Sequence, residues 1–294
     1  MSFSQRLAAR ADQIQTCLDD VLSTFGHLPV TVTVTESMRY ATRGGKRLRG
    51  FLVMEAGALF DVPDAQSVRA AAAIEVLHAY SLVHDDLPCM DDDDLRRGLP
   101  TVHRKWDEAT AVLVGDALQT LAFELLAGEA THPSVSVRIG LVATLATAAG
   151  AQGMVLGQAL DIAAETTARP LTLDEITELQ ASKTGALIRW SAEAGAILAE
   201  ADPVPLRAYA TALGLAFQIA DDILDVEGDA AKAGKRLQKD ADAGKATFVS
   251  RLGLDGARAR ALALADEAQA ALDPYGARAE TLREAARFVI ARDL

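Results

Sequence analysis

Cysteine is nearly absent from this chain: Cys17 and Cys89 are the two thiols among 294 residues. Two thiols build no disulfide framework, and the N-terminus lacks the charged-then-apolar pattern of a signal peptide, so the expected location is the cytoplasm. Aromatic residues make up 5% and alternating β-branched runs are scarce, whereas alanine is abundant, which together favour helix over sheet. Cations are in deficit as well. With 29 Lys and Arg against 41 Asp and Glu, the net charge of −12 argues against nucleic acid or an anionic membrane surface as partner. A small anionic substrate is still allowed, provided metal ions reverse the field locally. Residues 139–160 carry no charge and are long enough to span a bilayer. They include Gln152, Gln158 and four glycines among much Ala and Thr, and read instead as a helix buried in a protein core.

What the chain does have is a 50% hydrophobic content, ample for a large core, and no linker-like stretch in its middle. A single large helical domain over residues 1–294 is expected. Its most unusual stretch is 84–98, which places six carboxylates, Asp85, Asp86 and Asp91 to Asp94, within ten residues and follows them with Arg96 and Arg97. Carboxylates so close repel one another, so either some are protonated or a divalent cation gathers them, and oxygen-only ligands favour Mg²⁺ or Ca²⁺. A solvated acidic turn is the plain alternative. A calcium loop fits poorly, because the twelfth position counted from Asp91 is Val102, where a bidentate Glu is needed. Acid followed by two arginines suits Mg²⁺ bridging carboxylates to a phosphate that Arg grips bidentately.

A second acidic cluster lies 136 positions after Asp85, at Asp221, Asp222 and Asp225. Gln218, Asp221 and Asp225 are spaced i, i+3, i+7 and share one helix face, beside an apolar stripe of Leu213, Phe217, Ala220 and Leu224. Two such clusters, each ending an apolar helical pattern, imply a cavity with an acid-rich wall on either side.

Further features agree. Arg43, Lys46, Arg47 and Arg49 surround Gly44 and Gly45; glycine-freed amides with cations at a helix opening suit an anion site, a solvated basic loop being the plain alternative. His78 lies seven residues before Asp85, on the same helix face. Pro88 should stop that helix just past Asp86, letting Asp91 fold back towards Asp85. Thr172 to Glu175 is a capping box, and the helix it opens runs through Lys183 and Thr184 to Gly185, a candidate kink. Residues 227–245, with Lys232, Lys235, Lys239 and Lys245 among aspartates, have the composition of a flap that could close over an anion. Asp116 is assigned no role.

These motifs, in this order, resemble the trans-isoprenyl diphosphate synthases, the polyprenyl synthetase family. The resemblance runs from Gly44 to Arg49 through His78, Asp85, Asp91, Arg96, Arg97, Lys183, Thr184 and Gln218 to Asp221, Asp225 and Lys245. It implies an all-α isoprenoid synthase fold, about ten helices around a central cavity, usually a homodimer. It further implies that Asp85, Asp91 and Asp221 bind Mg²⁺, three ions per active site, gripping an allylic diphosphate with help from Arg96, Lys183, Lys235 and Lys245. Lys46, Arg49, His78 and Arg97 would hold isopentenyl diphosphate, while Thr184 and Gln218 steady a carbocation as dipoles. The implied reaction joins the two substrates head to tail.

Product length should depend on the helix leading into Asp85. Tyr80, roughly 7.5 Å before it along the axis, and Ser81 next to it are the candidate floor. A bulky ring there resembles the farnesyl (C15) type, a small residue the C20 type. A C20 synthase and a non-catalytic regulatory subunit of the same fold are the alternatives. Gly50, where the family usually has proline, and Gln238, where it commonly has glycine, are the departures.

Overall fold

The structure, a computed structural model, describes residues 1–25, 29–166, 169–227 and 246–291. Apart from one two-residue β-ladder, Leu95–Arg96 (β1) against Leu99–Pro100 (β2), its regular elements are helices. The chain forms two compact units, Met1–Val142 and Ala143–Leu294.

In the first unit, α1 (Phe3–Ser23) starts at a capping box in which Ser2 Oγ accepts from Gln5 N and Gln5 Oε1 from Ser2 N, satisfying two orphan amides. Its apolar stripe, Leu7, Ile14, Leu18 and Leu22, is buried. A helix that periodicity did not reveal, α2 (Pro29–Ala41), follows, with Pro29 at its first position, where a missing N–H costs nothing. The core of the unit is α3 (Leu48–Ala58) and α4 (Asp64–Asp85). Four consecutive alanines, Ala70 to Ala73, are fully buried, and α4 packs against α1, α3 and α6. Small side chains let these backbones approach closely. A short α5 (Val102–Lys105) precedes α6 (Glu108–Ala127), which Asp107 caps by accepting from Thr110 N at 2.6 Å.

The uncharged run 139–160 is not the buried core helix expected of it. It is divided between α7 (Val135–Ala149) and α8 (Met154–Glu165). Gly153 leaves helical geometry (φ −140°, ψ −124°) and sits where a Cβ would lie 2.0 Å from the Ala148 carbonyl oxygen. Ile139 is 61% exposed, and Val155, Leu156 and Leu160 are exposed too. Lack of charge showed that every face is apolar; it could not show what covers each face. By length and composition alone, α6 and the stretch Val135–Ala164 could each cross a bilayer.

In the second unit, α9 (Leu173–Gln180) opens on the predicted capping box, Thr172 N donating to Glu175 Oε2 at 2.8 Å. The candidate kink is a π-helical turn, Ala181–Gly185, leading into α10 (Ala186–Leu198). The central helix is α11 (Val204–Glu227), packed against α10 and α12 (Phe248–Ala271). Its buried face is centred on Leu213, Ala216, Ile219, Ala220 and Ile223, so Phe217 and Leu224 of the expected stripe are half-buried. Tyr209 donates to the Leu282 carbonyl at 2.9 Å, tying α11 to α13 (Glu280–Ala291).

Backbone proximity shapes the π-turn. A Cβ at Gly157 of α8 would lie 2.1 Å from the Lys183 nitrogen and 2.4 Å from its Cα, so α8 presses directly on that turn. Gly157→Ala must push the backbones apart and should destabilise the protein by roughly 1–3 kcal/mol, read as a lower urea midpoint with an unchanged m-value.

Candidate active site

In the first unit, α4 ends where the sequence predicted. Its backbone then folds back: Asp91 N donates to Asp85 O at 2.8 Å, Asp93 N to Asp86 O at 3.2 Å and Asp92 N to Leu87 O at 3.2 Å. Asp85 and Asp91 are thereby brought to one turn, the former half-buried and the latter exposed. Asp86 is different. It is 3% exposed and holds Arg96 in a forked pair, with Arg96 Nε donating to Oδ1 at 3.0 Å and Nη2 to the same oxygen. Burial raises the Asp86 pKa even against Arg96, which marks it as a structural carboxylate and not an open ligand. Arg96, expected to grip phosphate, is thus anchored from behind and a third of its side chain stays exposed.

The glycine-flanked basic run lies beside this turn. Gly44 and Gly45 have φ of +76° and +81°, the left-handed region that glycine enters without penalty. A Cβ at Gly45 would meet the Arg97 guanidinium at 2.8 Å, and Arg97 Nη1 donates to the Arg43 carbonyl at 2.8 Å. Arg47 is buried and turned inward, donating to the Thr42 carbonyl and Gln15 Oε1 and pairing with Glu75 at 3.8 Å. Lys46 is exposed and Arg49 half-buried. His78 is pushed well below the ordinary imidazole pKa, first by desolvation and then by Arg49, Arg97 and Arg96. The imidazole is therefore neutral at pH 7, inside a concentration of positive charge in a chain whose net charge is −12. Such a cluster suits an anion. Gly50, the departure from the family pattern, donates its N–H to Glu75 Oε1 at 2.8 Å, a bond that proline could not make.

Towards the end of α4, Tyr80 is 8% exposed. The Ser81 hydroxyl donates back to the His78 carbonyl at 2.9 Å.

The second unit brings together Lys183, Thr184 and Gln218. The first two ride on the π-turn, a form that recurs at functional sites. Thr184 Oγ1 donates to Gln218 Oε1 at 3.3 Å, and Gln218 Nε2 to Asp222 Oδ1 at 3.0 Å. Asp222 is buried, with Oδ2 accepting from Phe248 N at 2.8 Å, while Asp221 and Asp225 stay half-buried on their own face. Sequence reasoning missed Asp161, whose Oδ2 holds Lys183 Nζ at 2.6 Å. The available signal was its being the first charge after the uncharged run. Lys235, Lys245, Gln238 and the rest of the expected flap from residue 228 lie outside the described residues.

The donor set bears on a metal. Asp85 and Asp91 offer hard oxygens on one turn. Among the described residues no three His, Cys, Asp or Glu side chains gather tightly enough to hold an ion by themselves. An ion here must complete its shell from water and phosphate, the habit of Mg²⁺ and not of metals caged by protein. The residues fit Mg²⁺ in that mode.

Gly45→Ala should displace the Arg97 guanidinium and strain a positive-φ position. Calorimetric titration with inorganic pyrophosphate should show affinity falling roughly 5- to 30-fold, as for loss of one charge-assisted bidentate contact.

A family model, "Polyprenyl synthetase", matches residues 31–279. The chain is 49% identical over 281 residues to the farnesyl diphosphate synthase of Escherichia coli (strain K12), covering 92% of each. It is 38% identical to a chloroplastic geranylgeranyl pyrophosphate synthase of Catharanthus roseus, covering 99% of this chain and 82% of that one. A crystal structure of an FPP/GFPP synthase from Zymomonas mobilis superposes with a TM-score of 0.87 at 48% identity, over 96% of this chain and 98% of that chain. On these matches, and with its all-α fold, the chain belongs to the polyprenyl synthetase family.

Proposed function

We propose that this protein condenses isopentenyl diphosphate head to tail with dimethylallyl or geranyl diphosphate, in a Mg²⁺-dependent reaction giving farnesyl diphosphate. The observation that carries the reading is the separation of two anion-binding chemistries within Met1–Val142. A carboxylate turn, Asp85 with Asp91, can receive a diphosphate only through cations, whereas the guanidiniums of Arg49 and Arg97 beside neutral His78 can take a bare one directly. A two-diphosphate reaction needs both.

In this reading Asp85, Asp91 and Asp221 hold Mg²⁺, three ions in all, which when bound neutralise the leaving diphosphate. Arg96, Lys183 and, in the flap, Lys235 and Lys245 add charge to the same group, while Lys46, Arg49, His78 and Arg97 hold isopentenyl diphosphate. The allylic C–O bond breaks with its electron pair leaving on diphosphate. The isopentenyl double bond then forms the new C–C bond, and a proton passes from the resulting cation to the departed diphosphate. No protein nucleophile takes part. The side-chain oxygens of Thr184 and Gln218 steady the cation, and apolar walls exclude water.

The family match runs through both units, which supports reading residues 1–294 as one catalytic domain. Tyr80, buried near the end of α4, supports a C15 limit, as does higher identity to the farnesyl than to the geranylgeranyl relative. Exposed Val112 and Leu113, neighbours on α6, support a homodimer, since exposed apolar surface is commonly covered by a partner. The two free thiols agree with a cytoplasmic location.

Purified protein given labelled isopentenyl diphosphate, geranyl diphosphate and Mg²⁺ should release diphosphate and form a C15 product. Asp85→Asn should lower turnover by roughly 10²–10³-fold. Protein that binds pyrophosphate but releases none from the allylic substrate would instead be a regulatory subunit. Tyr80→Ala should move the product distribution towards C20, and an unchanged distribution would refute the floor.

A further inference from the structure

One residue between the floor and the first aspartate has no part in the reading above. His84 is one helical turn after Tyr80, and the two rings meet edge to face, centroids 5.4 Å apart at 86°. On its far side the imidazole enters α6. Nε2–H donates to the Val112 carbonyl at 3.1 Å, and a Cβ at Gly115 would lie 1.9 Å from Nε2, 2.3 Å from Cδ2 and 2.7 Å from Cε1. A side chain at position 115 is incompatible with the ring in this orientation. A hydrogen bond holds one end of the imidazole and the Tyr80 ring meets the other, so swinging aside gives up both contacts.

We propose that His84 is a positioning residue for product length: seated in the notch at Gly115, it braces the Tyr80 ring in the orientation that stops the growing chain. The inference rests on the reading of Tyr80 as the floor. A phenol held by its own χ angles alone has room to tilt; with an imidazole edge against it and α6 behind the imidazole, that motion is closed off. Glycine at 115 and histidine at 84 are then one device, and either change should act on length only through Tyr80.

The test compares C20:C15 product ratios, at matched conversion, for Tyr80→Ala, His84→Ala, Gly115→Ala and the double variants. An aromatic edge contact of this kind corresponds to a change of roughly 2- to 10-fold in an equilibrium, so His84→Ala and Gly115→Ala should each raise the ratio by about that factor. In a Tyr80→Ala background His84→Ala should add nothing, and Gly115→Ala should add nothing in a His84→Ala background, where its clash partner is gone. A merely structural role would change stability without this pattern. Tyr80→Ala lengthening products while His84→Ala leaves the ratio unchanged overturns the inference and spares the floor. Equal lengthening by His84→Ala with and without Tyr80 also overturns it. No lengthening by Tyr80→Ala removes the floor itself and the inference with it. If Gly115→Ala does not fold, the His84 and Tyr80 pair decides alone.

Discussion

A carboxylate taken out of water must be matched by a partner or give up its charge, and this constraint organises the end of α4. Six carboxylates crowd into ten residues, and the fold answers by burying one of them. Asp86 goes inward and meets Arg96. That pair anchors the loop after α4 to the helix, sets Arg96 beside His78, and leaves Asp85 and Asp91 on the accessible side of the turn. The same separation appears within the basic run. Arg47 turns inward to Glu75, Thr42 and Gln15, while Lys46 stays exposed. A local excess of one charge is thus sorted into members that hold the backbone and members left accessible.

The second unit reaches the same arrangement by different partners. Asp222 is buried against the Phe248 amide and Gln218, which uses a carboxylate at the start of α12, where the helix dipole favours negative charge. Asp221 and Asp225 remain on the adjoining face. Lys183 and Thr184 owe their position to backbone crowding as much as to their own chemistry: Gly157 of α8 lies against Lys183, and Gly214 of α11 against Gly185. Side chains at either glycine would widen the gaps that hold the π-turn.

Much of the fold was legible because buried helices leave a 3.6-residue trace. The stripe of α1, the cap of α9 and the stop after Asp86 all follow from local rules. α2 was not legible. Its residues 30–35 alternate Val and Thr, a strand-like run that the helix nevertheless accommodates, as tertiary context overrides propensity. The run 139–160 misled for a complementary reason. Composition reports what a helix face is made of, and exposure is decided by what other chain segments reach it.

For the candidate site the division is similar. Residue identity alone determined the kind of chemistry, because carboxylate-rich turns that recruit cations and clustered cationic side chains are suited to diphosphates, and these occur in few places along the chain. Which member of each pair is buried as a strut and which stays accessible, that Asp161 holds Lys183, and that His84 lies between Tyr80 and Gly115 were decided by tertiary structure. Those roles depend on burial and on contacts between residues as far as 22 and 28 positions apart, and linear sequence carries no record of distance.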